Sequence, residues 1–267
     1  MITRDNNNNI AYTFELEKNA IQNIGDYWTP EKKNAAIPIM PGVERIIAES
    51  NEETTDPEKA DLSKAPFSAG GKLFFTMDGK DYVASANIMG SRNLLLTAAH
   101  CIQDQETGNL GDHFLFERCY DSGNAAEKLT FRTVALKEFW VSEKKWKWDY
   151  AIAILNSDST VDSPLKYSTE DISGKTVTAF GYPTNYYKGK SMVFVKGGVT
   201  RQPKSTWLID GCKMRGGCSG GAWVLDDNNT VVGVNSYGPV SESEAYVGSP
   251  IFDENFESLY KYVLTLK

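Results

Sequence analysis

Gly216-Gly217-Cys218-Ser219-Gly220-Gly221 sets a serine between two glycine pairs, and the apolar run Ala222-Trp223-Val224-Leu225 follows it. Glycine on both sides lets the backbone take conformations closed to other residues and approach a ligand closely. A nucleophilic serine needs both properties. Its hydroxyl must project from a tight turn while neighbouring N–H groups converge on a developing oxyanion. The competing reading is a glycine-rich turn with an incidental serine. Which reading holds depends on whether a base and an orienting carboxylate stand elsewhere in the chain.

A serine hydroxyl is a poor nucleophile without a base. The chain has only two histidines, His100 and His113. His100 ends the stretch Leu94-Leu95-Leu96-Thr97-Ala98-Ala99-His100, an apolar strand and then small residues that let an imidazole pack closely. His113 reads as an ordinary strand or surface histidine. The orienting carboxylate is expected at Asp149, which heads the apolar run Tyr150-Ala151-Ile152-Ala153-Ile154-Leu155. A carboxylate half-buried there must be paired or hydrogen-bonded, and a histidine N–H serves. Chain order then sorts the hydrolase classes. Gly217-Cys218-Ser219-Gly220-Gly221 fits the G-x-S-x-G elbow, but that fold needs its histidine after the serine, and none follows Ser219. The order His100, Asp149, Ser219 is that of chymotrypsin.

Thr97-Ala98-Ala99-His100-Cys101, Asp149-Tyr150-Ala151-Ile152 and Gly217-Cys218-Ser219-Gly220-Gly221 resemble the three signatures of the chymotrypsin/trypsin-like serine peptidases. Asn235-Ser236-Tyr237-Gly238 resembles the strand that binds substrate backbone in that family. The resemblance spans residues 67 to 265 and is nearest the microbial secreted trypsin-like or glutamyl-endopeptidase-type members. It implies an all-β fold of two packed six-stranded antiparallel β-barrels with a C-terminal helix and an N-terminal extension. It also implies a His100-Asp149-Ser219 triad and an oxyanion hole from the N–H groups of Gly217 and Ser219. Ser236, Tyr237 and Gly238 would bind substrate. Cys218 precedes the serine where many animal members carry an aspartate that pairs with a freed N-terminus, so that activation switch is absent. Lys213 stands six residues before the serine, at the base of the specificity pocket by the resemblance, where trypsin-like members have aspartate. A cation there would repel basic side chains and favour acidic ones before the scissile bond; the alternative is a Lys213 turned to solvent.

Composition bounds the partners. At 267 residues the chain can bury a sizeable core as one domain or two fused barrels. A net charge of -7 without a dense basic run argues against a nucleic-acid partner. Lys144-Lys145-Trp146-Lys147 reads as a solvated loop. No apolar run approaches membrane-spanning length. No apolar leader follows Met1, so either the protein is intracellular or a leader was replaced by a starting methionine, and the second suits a secreted-type peptidase better. The expected partner is a protein or peptide substrate of a secreted monomer that needs no cofactor and no metal. The four cysteines, Cys101, Cys119, Cys212 and Cys218, allow three pairings. In the family the cysteine after the histidine bonds to the preceding strand, but Val83-Ala84-Ser85-Ala86 offers none, so Cys101–Cys119 and Cys212–Cys218 are the candidates. Free thiols are the other possibility.

Residues 1–66 differ from the rest: polar, with Asn6 to Asn9 as a low-complexity run and an acidic linker-like stretch from Asn51 to Glu58. They are expected to be a pro-segment or a belt on the barrel, or else a disordered tail. Thr29-Pro30-Glu31 reads as a helix start. From Phe67 short strands alternate with turns, beginning with a hairpin about Asp78-Gly79-Lys80. Residues 67–165 would form the first barrel, with His100 and Asp149, and 166–267 the second, with Ser219. The stretch from Asp253 to Leu264 has the apolar spacing of an amphipathic helix. The competing function is a catalytically inactive peptidase fold used for binding, and an esterase activity at the same serine is a further possibility.

Overall fold

A computed structural model describes residues 1–14, 18–44, 55–203 and 205–266. Half of the expected acidic linker, residues 51–54, lies outside them. The chain opens with the hairpin β1 (Ile2–Arg4) and β2 (Asn9–Thr13). The helices α1 (Lys18–Tyr27) and α2 (Pro30–Ala35) follow, then the two-residue strands β3 (Ile37–Pro38) and β4 (Glu58–Lys59). Thr29 caps α2 by accepting from Lys32 N, with Pro30 in the first turn, as the sequence predicts.

The first barrel contains β5 (Gly70–Met77), β6 (Lys80–Ile88), β7 (Leu94–Thr97), β8 (Asp112–Arg118) and β9 (Glu127–Lys137). After the short helix α3 (Phe139–Glu143), β10 (Ala151–Leu155) completes it. The order β5-β6-β7-β10-β9-β8 returns to β5, and every pairing is antiparallel. Closure leaves no free sheet edge among these six strands. Asp78 and Gly79 both take positive φ, which makes the β5–β6 turn. Leu73, Phe75, Leu96, Phe116, Phe131 and Ile152 are wholly or nearly wholly buried in the barrel.

The second sheet comprises β11 (Lys166–Tyr167), β12 (Thr176–Gly181), β13 (Val193–Gln202), β14 (Thr206–Asp210), β15 (Ala222–Leu225), β16 (Thr230–Val234) and β17 (Tyr246–Pro250). Its order is β11-β16-β15-β12-β13-β14-β17, with β4 paired to β13. Beyond β16, Ser236 N donates to Gly248 O at 2.8 Å and a bridge joins Tyr237 to Gly248. The chain leaving β16 thereby turns back onto β17. The helix α4 (Glu254–Thr265), capped by Asp253, buries Phe256, Leu259 and Val263. No helix among the described residues is long and apolar enough to cross a membrane.

The described N-terminal residues pack on this frame. The hairpin extends the first sheet through β2–β9 pairing and buries Ile10 and Ala11. Ile24, Trp28 and Ala36 cover Phe74, Val83 and Leu115, and Trp28 Nε1 donates to His113 O at 2.6 Å. The polar composition hid this because few apolar residues carry the contact. His113 is the ordinary strand histidine expected, stacked 4.2 Å from the Tyr27 ring.

The expected disulfides are not formed; all four cysteines are free thiols. Cys101 is buried in the first-barrel core. Cys119 is instead held at the end of β8, with its thiol near Ser68 O and Leu62 O and its Sγ accepting from Arg118. Cys218 turns its sulfur to Met40 Sδ, 3.8 Å away, rather than bonding to Cys212.

Candidate active site

His100 sits in a 3-10 turn (Ala99–Cys101) directly after β7. Ala98 and Ala99 are fully buried, which is what small residues at those positions permit. Asp149 follows a second 3-10 turn (Trp146–Trp148) and is wholly buried. Its Oδ1 accepts from His100 N at 2.8 Å and its Oδ2 meets His100 Nδ1 at 2.8 Å. Ser236 Oγ donates to the same Oδ2. One carboxylate thus grips His100 by ring and backbone, and its own charge is satisfied by three donors, as burial requires. Bonding Nδ1 to the carboxylate leaves Nε2 as the nitrogen aimed at chemistry. Burial disfavours the imidazolium, but the Asp149 charge beside it outweighs that, and the His100 pKa is raised.

Ser219 lies in the turn before β15, which is fixed from both sheets. From β6, Ser85 N donates to Ser219 O, Ser85 Oγ to Gly217 O and Asn87 Nδ2 to Gly220 O, at 2.8, 2.9 and 2.9 Å. From the second sheet, Asn235 Nδ2 donates to Phe180 O and Cys218 O, and Trp223 Nε1 donates to Asn235 Oδ1. Gly217 has φ +99°, and a Cβ there would stand 2.5 Å from Tyr182 O. Gly220 has φ +80°, and a Cβ would stand 2.1 Å from Thr97 Oγ1 and 3.1 Å from Ala98 N. Only glycine fits either position, and the second contact brings the serine turn against the stretch that ends in His100. Ser219 Oγ and His100 Nε2 are buried and neither has a hydrogen-bond partner. The candidate nucleophile and candidate base sit on stretches that touch, and neither is hydrogen-bonded to the other. Cys218 is no rival nucleophile, because burial pushes its thiol well above the ordinary value and that of Cys212 up to about 12.

The other expected site residues divide. The Gly217 N–H is already used, donating to Ile39 O at 3.0 Å, whereas the Ser219 N–H makes no hydrogen bond among the described residues. Ser236 reaches Asp149 instead of the cleft. The Tyr237 ring faces Trp146 at 5.8 Å, and its hydroxyl pairs with Thr206 Oγ1. Gly238 offers both backbone groups outward, and residues 41 and 43 take them. Lys213 forms an ion pair with Asp56 at 3.0 Å on the rim of a depression of about 660 Å³, which Arg215, Tyr186 and Glu244 also line. Reading the sequence missed the part played by residues 37–43. Its signal was the apolar run Ile37-Pro38-Ile39-Met40-Pro41-Gly42 inside a polar segment. No cluster of metal-binding side chains occurs among the described residues.

A family model described as a trypsin-like peptidase domain matches residues 84–234, more than half of the chain. The fold is similar to a thermostable serine protease, AL20, from an extremophilic microorganism (28% identity, TM-score 0.70, 76% of this chain and 100% of that one). It is likewise similar to the protease Anisep from Arthrobacter nicotinovorans (28% identity, TM-score 0.67, 74% and 95%). A Glu endopeptidase shares the fold at 19% identity (TM-score 0.65, 80% and 97%). No curated protein sequence matches the chain.

Proposed function

The chain belongs to the trypsin-like peptidase domain family as a serine-type endopeptidase, and we propose that His100, Asp149 and Ser219 carry its chemistry. The observation that supports this most is the double grip of buried Asp149 on His100 beside the clamped Ser219 turn. Ser219 Oγ attacks the scissile carbonyl carbon while His100 Nε2 takes the hydroxyl proton. Asp149 stabilises the imidazolium that forms, consistent with the raised His100 pKa. The N–H groups of Gly217 and Ser219 hold the tetrahedral oxyanion, a contribution of about 3–4 kcal/mol per donor. The C–N bond then breaks, His100 returns its proton to the leaving amine, and an acyl-enzyme remains on Ser219. Water, deprotonated by the same Nε2, releases the acid and restores the serine.

The substrate is a protein or peptide, met outside the cell as the resemblance to secreted peptidases implies. A monomer suffices, since one chain supplies every residue of the site. Acidic side chains before the scissile bond fit the cations Lys213 and Arg215 on one rim, and Lys213 already donates to the Asp56 carboxylate. Both partners of that pair are substantially exposed, so the attraction acts on selectivity more than on affinity.

The direct test is a fluorophosphonate probe, which reacts only with an activated serine, followed by mass mapping. Labelling at Ser219 that Ser219→Ala abolishes is expected once the N-terminal residues are displaced. A Ser219 that stays unlabelled in the open protein would leave the inactive binding scaffold as the reading.

A further inference from the structure

We propose that residues 37–43 are a built-in occupant of the substrate cleft, threaded against the direction of hydrolysis, and that they hold this peptidase latent. The proposal rests on the peptidase reading above. Four backbone hydrogen bonds fasten the segment across both halves of the site. Ile39 N donates to Val83 O at 3.1 Å and Gly217 N to Ile39 O at 3.0 Å; Gly238 N donates to Pro41 O at 3.0 Å and Val43 N to Gly238 O at 2.9 Å. Tyr246 OH adds a bond to Val43 O. The Ile39 carbonyl therefore fills the oxyanion donor that catalysis needs free. Its side chain packs on the first-barrel core.

Side chains fill what the backbone covers. Met40 Sδ lies 3.8 Å from Cys218 Sγ and 3.1 Å from where a Gly238 Cβ would be, so it plugs the apolar recess beside the nucleophile. Val43 packs against the cluster of Leu208 on β14, Tyr246 on β17 and Tyr237, which Trp146 also covers. Pro38 O stands 3.0 Å from where a Gly216 Cβ would be, so any larger residue at position 216 would collide with the segment. Ser219, fully buried although nothing bonds its hydroxyl, is the outcome.

Direction explains why such an occupant survives. The segment lies parallel to β6 at Ile37–Pro38 and parallel to the chain at Gly42–Gly238. Its acyl side, residues 37–39, runs along the first barrel, which carries His100; its amine side, residues 40–43, runs away along the second sheet. Attack on the Ile39 carbonyl would require His100 to protonate the Met40 nitrogen, and that nitrogen leads away from the barrel holding the base. Proton delivery to the leaving group fails, so the bond is not cut. Neighbouring contacts anchor the segment on both sides: the Trp28 cluster and Lys33–Glu117 before it, β4 on β13 and Asp56–Lys213 after it. Tethered at both ends, it competes with substrate as an intramolecular ligand at high effective concentration.

The test uses the full chain and two readouts. In a Ser219→Ala background, hydrogen exchange is compared between the parent and the Met40→Asp, Val43→Asp variant, with Met40→Ala, Val43→Ala as a milder pair should the charges disturb folding. Faster exchange confined to peptides spanning 37–43, 214–219 and 236–240 is expected; unchanged exchange overturns the proposal. With Ser219 present, the fluorophosphonate rate should rise at least about tenfold in the variant, the apparent affinity of a site being scaled by its open fraction. Equal, rapid labelling of both proteins overturns the latency. So does a mass showing cleavage between Ile39 and Met40. Faster exchange without any labelling upholds the occupant and sinks the catalytic assignment instead, so the two failures are told apart.

Discussion

Ser236→Ala tests how the buried carboxylate is held. Asp149 has no solvent exposure, and its oxygens accept from His100 N, His100 Nδ1 and Ser236 Oγ. The substitution removes one of three donors and leaves a void too small for a water, which needs about 10–15 Å³ and several polar partners. A hydrogen bond to a charged group contributes about 1.5–3 kcal/mol, and a buried charge short of a donor bears most of that loss. We therefore expect about 2 kcal/mol less stability at neutral pH in urea unfolding, with an unchanged dependence on urea. In protein with the cleft opened, the same loss weakens the support for the imidazolium formed in the transition state. It should lower kcat by roughly tenfold and leave KM nearly unchanged, the pattern of an interaction realised only in the transition state. The reading of Ser236 as a substrate-binding residue makes the opposite forecast, a raised KM with kcat and stability intact. A stability change below about 0.5 kcal/mol together with a raised KM would refute the positioning argument.

Three further outcomes follow from individual contacts. Ser219→Ala removes a buried hydroxyl that has no partner, so the variant should unfold at the same or slightly higher urea, up to about 1 kcal/mol more stable, while losing turnover by at least about 10⁴-fold. Gly220→Ala adds a Cβ 2.1 Å from Thr97 Oγ1 at φ +80°; strain and overpacking together should destabilise by about 2–4 kcal/mol, read by thermal or urea unfolding, and a neutral result would contradict the clamped turn. Burial lowers the Lys72 ammonium from 10.5 to about 8, even with its Nζ on Gly189 O and over the Tyr120 ring. Between those values the unfolded chain binds more protons, so its penalty is full below pH 8 and fades as pH rises toward 10.5. Lys72→Met should thus gain about 1–3 kcal/mol at pH 7 and little above pH 10, a difference that stability curves at the two pH values would show or exclude.

Much of the fold was legible because its signals are local. The hairpin about Asp78-Gly79 needs two positive-φ residues and has them. The capped starts of α2 and α4 stand at Thr29 and Asp253, and the buried run of β10 follows its carboxylate directly. The triad candidates were legible for a different reason: each chemistry needs a scarce residue type in a constrained setting, and the chain offers only two histidines. The cysteines misled because spacing constrains which sulfurs might meet but not where each thiol points. Cys119 is occupied by Arg118 and two carbonyls, and Cys218 by Met40. β1 and β2 were illegible since the pairing of β2 on β9 buries only two apolar residues, Ile10 and Ala11. Ser85 and Asn87 look like ordinary strand polar residues, and only the packing of two sheets shows that they hold the serine turn.

The segment at 37–43 marks where local reading stops. Ile37-Pro38-Ile39-Met40-Pro41-Gly42 is too short and too interrupted by proline to propose a strand. Much of its order comes from N–H and C=O groups on Val83, Gly217 and Gly238, which belong to different halves of the fold. A peptidase cleft must leave such groups unpaired so that an extended substrate can take them, and unpaired backbone groups recruit whatever chain is tethered nearby. The two prolines suit this duty. Neither has an N–H to leave unsatisfied, each stiffens the segment against rearrangement into a cleavable register, and Pro41 still offers its carbonyl to Gly238. The polarity that makes residues 1–66 look dispensable therefore conceals six consecutive residues whose composition fits an inhibitor better than a linker.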